Sequence, residues 1–360
     1  MRKYWILCVL GVGLLLWAAF AATESLKRSV TADLRRALKR EVTVQGATLI
    51  FPAGIRLTGI TIPQGSTPEG VPYGSIQQLG IRLTLGSFLQ GRPGVDLELI
   101  RPRIFFRGQL KGLAGRLPSR SAFKRGGFLF NRLRVRDGEI ILVDQRVTPP
   151  VEWRVKDLSV SVRSGPQPGG YSYSILGDWQ DESHQPQGNG EASSSRSHEQ
   201  VGKLQVNGQL LADRTIRAKV SFSHDKLEDL APYARRLLGA APARGAVQIS
   251  GTVTLKQGEL SADTELTASG VRFATEEPTL LGPPGNRLAE LLQDRSGQIR
   301  IPFPIKGSLQ GQGWADLLTV SLKEALRQEL ARGIQRALTE AEPPRSVEEF
   351  LRRESESSPR

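Results

Sequence analysis

The sequence predicts a mainly β protein. We expect an elongated, curved antiparallel sheet that forms a taco-like groove, with an N-terminal transmembrane helix and a C-terminal amphipathic helix. Three observations support this prediction. Residues 4–22 contain no charged side chain, apolar and polar residues alternate through much of residues 42–314, and leucines recur at every fourth position after residue 315. Alternation with a period of two is typical of strands that bury one face.

The uncharged segment at residues 4–22 is long enough to cross a membrane. Its 19 residues would span about 28 Å as a helix, close to the thickness of a bilayer's hydrocarbon core. A cleaved secretory signal is the alternative, because residues 19–21 have the small-x-small form of a cleavage site. We predict a retained anchor over residues 1–23.

Residues 24–41 have the period of an amphipathic helix. Leu26, Val30 and Leu34 fall on one face, and basic residues occupy other positions. We expect this helix to lie at the level of the lipid headgroups, with its basic side chains on an anionic membrane surface. Those residues are Lys27, Arg28, Arg35, Arg36, Lys39 and Arg40. The alternative is a first helix of the globular domain.

These basic residues also bear on orientation. A count of positive charges on either side of the anchor favours a cytoplasmic domain. Large domains can cross a membrane despite such charges, and we expect the bulk of the chain in the periplasm.

The β pattern falls into two regions, residues 42–179 and 201–314, separated by a segment at 180–200 that is too polar to fold. The dipeptides Asp137-Gly138 and Gln257-Gly258 are predicted turns between strands. Gly208, Gly251 and Gly307 share an apolar-x-Gly-x-apolar pattern, which predicts bulges that curve the sheet. A short helix is predicted around residues 286–293.

The last ordered element is predicted to be a helix over residues 315–341. Its leucines are spaced by four, and each step advances about 40° beyond a full turn, so the apolar stripe winds around the helix. We expect it to cap an open end of the sheet rather than to lie on a membrane. Residues 342–360 are predicted to be a disordered tail.

Composition excludes several classes of site. The only cysteine, Cys8, lies in the predicted anchor, so the domain has no disulfide and no cysteine chemistry. His184, His198 and His224 lack metal-ligand spacing, and we expect all three in solvent. Asp137 and Asp144 flank a predicted strand, and a turn explains the first. No catalytic motif is present, and we predict neither an enzyme nor a cofactor.

The net charge of +13 suits either nucleic acid or an anionic membrane. The charge is spread along the chain without interleaved aromatic residues or a nucleic-acid motif. Because an apolar anchor precedes the domain, we predict a membrane surface as the partner and no nucleic acid.

Several blocks, in their order, resemble the AsmA-like family of bacterial envelope proteins, which is related to TamB and to bridge-like lipid-transfer proteins. The resemblance rests on the anchor and basic helix and on blocks within residues 42–62, 83–104, 133–144 and 301–309. Representative elements are Gly54-Ile55-x-Leu57, Leu83-x-Leu85-x-Ser87-Phe88, Leu97-x-Leu99-Ile100-x-Pro102 and Leu133-x-Val135-x-x-Gly138. It implies a single-pass inner-membrane protein with a periplasmic β-groove that takes part in phospholipid transport or outer-membrane homeostasis.

The predicted ligand is phospholipid or another acyl-chain lipid, bound by apolar side chains that face the groove. The candidates are Leu57, Leu83, Leu97, Val135 and Val253. Two alternatives stay open. The apolar face is only the core of a closed β-sandwich that acts as a scaffold for envelope proteins, or the chain is an accessory subunit like the N subunit of type II secretion systems, which shares the plan of an anchor and a curved sheet.

Overall fold

The structure is a computed structural model, and it confirms that the protein is mainly β. It describes residues 25, 27–29, 31–32, 34–36, 41–50, 54–63, 73–84, 94–107, 129–144, 151–165, 170–181, 202–274, 278–308 and 314–340. Twelve strands form one sheet in which every strand lies next to its neighbour in sequence, from β1 at one edge to β12 at the other. The predicted transmembrane segment at 4–22 lies outside the described residues.

The strands follow the apolar alternation of the sequence. They are β1 Thr43–Ile50, β2 Gly54–Ile62, β3 Tyr73–Thr84, β4 Gly94–Arg107, β5 Leu129–Asp144, β6 Val151–Ser164, β7 Tyr171–Asp181, β8 Gly202–Leu210, β9 Ile216–His224, β10 Pro242–Lys256, β11 Glu259–Phe273 and β12 Gln298–Ser308. Three helices are α1 Ala231–Leu238, α2 Gly285–Leu292 and α3 Trp314–Glu340, and a 3₁₀ turn, Leu227–Leu230, precedes α1. Described positions between 25 and 36 are also helical.

The prediction of a wholly antiparallel sheet is wrong at one place, because β4 and β5 are parallel. Parallel neighbours need a connection of a dozen or more residues. The segment between these two strands, residues 108–128, is long enough to provide one. The sheet is therefore mixed.

A line of left-handed backbone crosses the sheet from β2 to β6. Positive φ angles occur at Gly59 (61°), Arg101 (48°), Asp137 (52°) and Asp157 (49°). The register aligns the first three through Gln77 of β3, and Asp157 follows beside the break in the β5–β6 register. Such residues bend a strand and increase its twist. We call this set the bulge line.

The bulge line explains why apolar residues on one face are three apart at these points. Leu57 and Ile60 of β2 belong to the same core cluster, and Val155 and Leu158 of β6 both approach Gly177 of β7. A regular strand would place residues three apart on opposite faces. In β2 and β6 the bulge line thus keeps apolar residues on the same face on both of its sides.

Asp137-Gly138 is not the turn that the sequence predicts. It lies inside β5, where the register with β6 shifts on both sides of Gly138. An aspartate with positive φ followed by glycine suits a bulge as well as a hairpin. The other predicted turn is confirmed, since Gln257 and Gly258 link β10 to β11 and both have positive φ.

The prediction of a bulge is wrong at Gly208, one of the three repeated glycines. Gly208, Gly251 and Gly307 lack positive φ, and the register of β8 continues through Gly208 on both sides. A Cβ at Gly208 would overlap the ring of Tyr173, and one at Gly307 would overlap the side chain of Leu317. Glycine at these sites makes room for a neighbouring side chain.

The chain divides into two compact units. The first comprises Met1–Asp225, Gln248–Thr264 and Pro304–Leu317. One buried cluster in it is formed by Val42, Val44, Leu57 and Ile60, with Leu34 of the helical segment packed against them. The basic helical segment is therefore attached to the first two strands through its apolar side.

The second unit comprises Lys226–Val247, Glu265–Phe303 and Leu318–Arg360. Helix α2 buries Leu288, Ala289 and Leu292. A Cβ at Gly333 of α3 would overlap the carbonyl oxygen of Leu291, so glycine allows the two helices to approach closely.

Asp294 follows α2 and accepts hydrogen bonds from Ser296 Oγ (2.5 Å), Gln298 N (3.1 Å) and Ser296 N (2.8 Å). These hydrogen bonds, the Ser296 hydroxyl first, hold the pKa of the Asp294 carboxyl below its usual value. The aspartate thereby closes the loop that leads from α2 into β12.

Helix α3 shows the winding of the apolar stripe. Leu326 and Leu330 are 6 % and 7 % exposed, whereas Ile334 and Leu338 are 41 % and 72 % exposed. Because each four-residue step rotates the stripe by about 40°, the last two side chains leave the packed face. The apolar stripe is therefore no longer packed in the last turns of the helix.

The last strand is the most regularly patterned. Ile299, Ile301, Phe303 and Ile305 are buried, and the residues between them, which include Pro302 and Pro304, are exposed. Proline cannot donate to a strand ladder and is tolerated at sheet edges. This agrees with the position of β12 at the end of the strand order.

Other predictions concern residues that the structure does not describe. Gln180 and Asp181 end β7, and the rest of the predicted loop to residue 200 lies outside the described residues. The same is true of Lys39, Arg40 and the tail at 342–360.

Candidate functional site

The candidate site is the apolar face of β1–β9, and its central feature is a row of aliphatic side chains. Each member is directly opposite the next in the strand register, so all lie on one face. The row is Ala47, Leu57, Leu79, Leu99, Val135, Val160, Ile175, Val206 and Val220. We call it the central row.

A second row runs beside the central row, and each of its members is two residues away from the central-row residue of the same strand. It is formed by Ile55, Ile81, Leu97, Leu133, Val162, Tyr173, Gly208 and Ala218. Burial raises the pKa of the Tyr173 phenol, so the phenol stays neutral at physiological pH. The two rows together give a continuous hydrocarbon surface across nine strands.

A third row lies beyond the bulge line and ends in aromatic residues. It runs through Ile62, Gly74, Ile104, Ile140, Val155, Trp179, Gly202 and His224. Phe222 of β9 contacts the Trp179 ring edge-on at 5.2 Å and stacks on His224 at 6.2 Å. Trp153 of β6 lies 5.1 Å from Trp179 and 6.3 Å from His224. We call the end of the face that is formed by these four rings the aromatic end.

His224 was expected in solvent, and that prediction is wrong, because its side chain is 0 % exposed. It occupies an alternating position at the end of β9, two residues after Phe222, and this spacing in the sequence was the available signal. The aromatic end was not predicted, since its four rings come from three separate strands.

The five predicted groove residues are all in strands, but their exposure differs. Leu57 is 0 % exposed and Val135 is 8 % exposed, and both belong to the central row. Leu83, Leu97 and Val253 are half-buried. Leu97 is in the second row. Leu83 is opposite Val95, and this pair is next to the Ile81–Leu97 pair on the same face. Val253 is in β10.

A cleft of about 530 Å³ lies between the basic helical segment and β1. Three cations line it, Lys27, Arg28 and Arg35, together with hydroxyl groups and the buried side chain of Val44. Arg35 also donates from Nε to the carbonyl oxygen of Val42 at 3.0 Å, which fixes the segment against the start of β1. The cleft thus combines positive charge with an apolar floor.

Arg28, Arg35 and Arg36 are exposed and Lys27 is half-buried. Their neighbour Leu34 packs against β1 and β2. The basic segment therefore lies beside the edge strand β1 with most of its charged side chains exposed, as a first helix of the domain would.

Within the residues that the structure describes, no helix combines the length and the apolar character needed to cross a bilayer. In the same part of the chain, no group of three or more acidic, histidine or cysteine side chains is arranged to hold a metal ion.

Comparison with protein-family models finds no match, and no curated protein matches the chain.

Proposed function

We propose that the chain is an inner-membrane-anchored protein of the bacterial envelope that binds acyl chains of phospholipid on its apolar sheet face. Its role is then in phospholipid transport or in outer-membrane homeostasis. The single observation that carries the proposal is the central row together with the second row, which form a hydrocarbon strip across nine strands.

Partial exposure of these rows supports a binding role. Ile81, Leu97 and Leu133 of the second row are half-buried, as are Val160 and Val206 of the central row. Each half-exposed aliphatic side chain would gain on the order of 1 kcal/mol when an acyl chain covers it. A strip of many such residues favours a long hydrocarbon ligand over a compact polar one.

The bulge line supports a curved surface. Bulges bend strands and increase their twist, and here they are aligned on neighbouring strands rather than scattered. A bend repeated at one level across β2–β6 would turn the apolar face into a groove. In this proposal the acyl chains lie along the rows and the polar headgroups remain in water.

The cleft beside β1 supports a proposed entry point for the lipid at this edge of the sheet. Lys27, Arg28 and Arg35 surround it, and the apolar side chain of Val44 forms its floor. A lipid that leaves an anionic membrane surface would present its phosphate to these cations and its hydrocarbon to the first strands. The predicted anchor would keep this end of the sheet beside the bilayer.

A second candidate function, a lipid-free scaffold for envelope proteins, is favoured by a different observation. Leu57 and Val135 are almost fully buried, so part of the central row is already covered by the chain itself. If the whole face is covered in this way, the apolar rows are a core and no lipid site exists.

The test uses two neighbouring residues of β8 that face opposite ways. Val206 belongs to the central row, whereas Asn207 is exposed on the other face. A photo-crosslinking amino acid is placed at each position, the full chain is irradiated in intact cells, and adducts are identified by mass spectrometry. Phospholipid adducts at Val206 and none at Asn207 support the proposal. Protein adducts alone at both positions would favour the scaffold.

A further inference from the structure

The opposite face of the same sheet is polar, and most of its charges near the bulge line are paired. Arg103 of β4 donates from Nε to Glu139 of β5 at 2.5 Å, and Arg154 of β6 approaches the same carboxylate at 3.5 Å. Arg136 pairs with Glu98 at 3.2 Å. In this part of the face the charges compensate one another.

Three arginines further along β5 and β6 have no such compensation. Arg132 of β5 is directly opposite Arg163 of β6, and Arg134 follows two residues later on the same face. Among the described residues, none of the three forms an ion pair or a side-chain hydrogen bond. Like charges directly opposite each other destabilise a sheet, so this arrangement costs stability unless an anion lies between them. We call these residues the arginine triad.

Two carboxylates share this region without neutralising it. Glu98 of β4 is directly opposite Arg134, but it pairs with Arg136. Asp96 of β4 is in register with Arg132 and also with Arg82 of β3, and in the described structure it pairs with neither. Even one complete ion pair with Asp96 would leave an excess of positive charge. Arg132 and Arg134 are also half-buried, which limits the freedom of their side chains to move apart.

Hydroxyl groups surround the triad. Ser161 of β6 is opposite Arg134, and Ser172 of β7 is opposite Arg163. Ser174 of β7 is opposite Ser161. Guanidinium groups combined with serine hydroxyls on a rigid surface supply the directed donors that phosphate oxygens accept.

We propose that the arginine triad, with Ser161 and Ser174, is a binding site for a phosphate group. A phosphate monoester carries up to two charges and three terminal oxygens, which matches three guanidinium groups better than a single carboxylate does. The site lies on the face opposite the apolar rows, so it goes beyond the proposed acyl-chain site. The phosphate belongs either to a lipid headgroup or to a soluble phosphate compound.

Nucleic acid is not the favoured ligand. Single-stranded nucleic acids bind surfaces on which bases stack against aromatic rings. The aromatic pair on this face, Tyr73 and Phe105, lies on the far side of the bulge line, and its rings stack on each other at 5.0 Å. Arginines alone, rather than lysines, also indicate a site of fixed geometry instead of diffuse charge attraction.

The experiment measures pyrophosphate binding to the full chain in a neutral detergent by titration calorimetry, at constant ionic strength. Arg132→Gln and Arg163→Gln should each weaken binding by about tenfold or more. Arg217→Gln is the matched control, because Arg217 is exposed on the same face and is opposite Gln209 rather than an arginine. Both triad variants should fold at least as well as the wild type, since each removes a repulsion.

A parallel titration with phosphatidic acid or phosphatidylcholine in the same detergent identifies the source of the phosphate. Binding of phosphatidic acid that depends on the triad assigns a lipid headgroup, and triad-dependent binding of pyrophosphate alone assigns a soluble compound. Phosphatidylcholine binding that ignores the triad reports only the acyl-chain site, so the two proposals can fail separately. No pyrophosphate binding, or equal binding in Arg132→Gln and wild type, would overturn the phosphate site.

Discussion

Replacing Arg101 by glycine should stabilise the protein, which is an unusual result for a strand residue. Arg101 has a φ of 48°, and left-handed backbone costs a residue with a side chain about 1–2 kcal/mol. Glycine removes that cost but loses about 0.5–1 kcal/mol through the greater freedom of the unfolded chain. The side chain makes one long exposed hydrogen bond, from Nη1 to Gln77 at 3.4 Å. The free energy of unfolding should therefore rise by between about 0 and 1.5 kcal/mol.

Arg103→Gly is the control, two residues further along β4. Arg103 does not have a positive φ, and it pairs with Glu139 at 2.5 Å. Glycine here lowers strand propensity and removes a partly exposed ion pair, so the free energy of unfolding should fall by about 1–2 kcal/mol. The same mutation should thus have opposite signs at two neighbouring exposed arginines.

The assay is urea unfolding of the full chain in detergent, followed by far-ultraviolet circular dichroism. The comparison is valid if both variants keep the wild-type dependence on urea concentration, which reports the surface exposed on unfolding. If Arg101→Gly destabilises the protein as much as Arg103→Gly does, Arg101 is in ordinary extended backbone. The bulge line would then be interrupted at β4, and its role in curving the sheet would have to be abandoned.

Three further predictions use matched positions and equilibrium unfolding. Leu57→Ala should lower the free energy of unfolding by about 2–5 kcal/mol because Leu57 is completely buried. Leu97→Ala, at a half-buried site, should lower it by less than about 2 kcal/mol. A larger loss for Leu97→Ala than for Leu57→Ala would contradict the burial described for the apolar face. In α3, Leu330→Ala should cost about 2–4 kcal/mol and Leu338→Ala less than about 0.5 kcal/mol, and equal losses would show that the end of the helix is packed. Asp294 has a lowered pKa in the folded state, so its stabilising effect is present above the usual carboxyl pKa and is lost as the pH falls through the lowered value. The difference in melting temperature between the wild type and Asp294→Ala should accordingly shrink in acid, and a difference independent of pH would refute this role.

The strands could be predicted from the sequence because each contributes its own alternation. Ile299, Ile301 and Phe303 are buried where the period of two places them, and no knowledge of neighbouring strands is needed. The bulge line could not be predicted in this way. Asp137-Gly138 has the chemistry of a hairpin turn, and only the partner strand β6 decides that the chain continues as a bulge.

Features that depend on register were equally invisible in the sequence. The parallel pair β4–β5 follows from the path of a long connection rather than from the residues within the strands. Arg132 and Arg163 are 31 positions apart, and nothing local indicates that they are directly opposite each other. The contact of His224 with Trp153 likewise joins β9 to β6, two strands that are far apart in the sequence.

The two prolines of β12 limit how copies of this protein can associate. Residues two apart in a strand direct their backbone N–H groups towards the same side, so Pro302 and Pro304 remove two donors from a single edge. An incoming strand from another copy would meet carbonyl oxygens there without the donors needed to continue the ladder. Pairing of β12 with an incoming strand is therefore blocked along this stretch, so the sheet cannot extend through β12 into a neighbouring molecule.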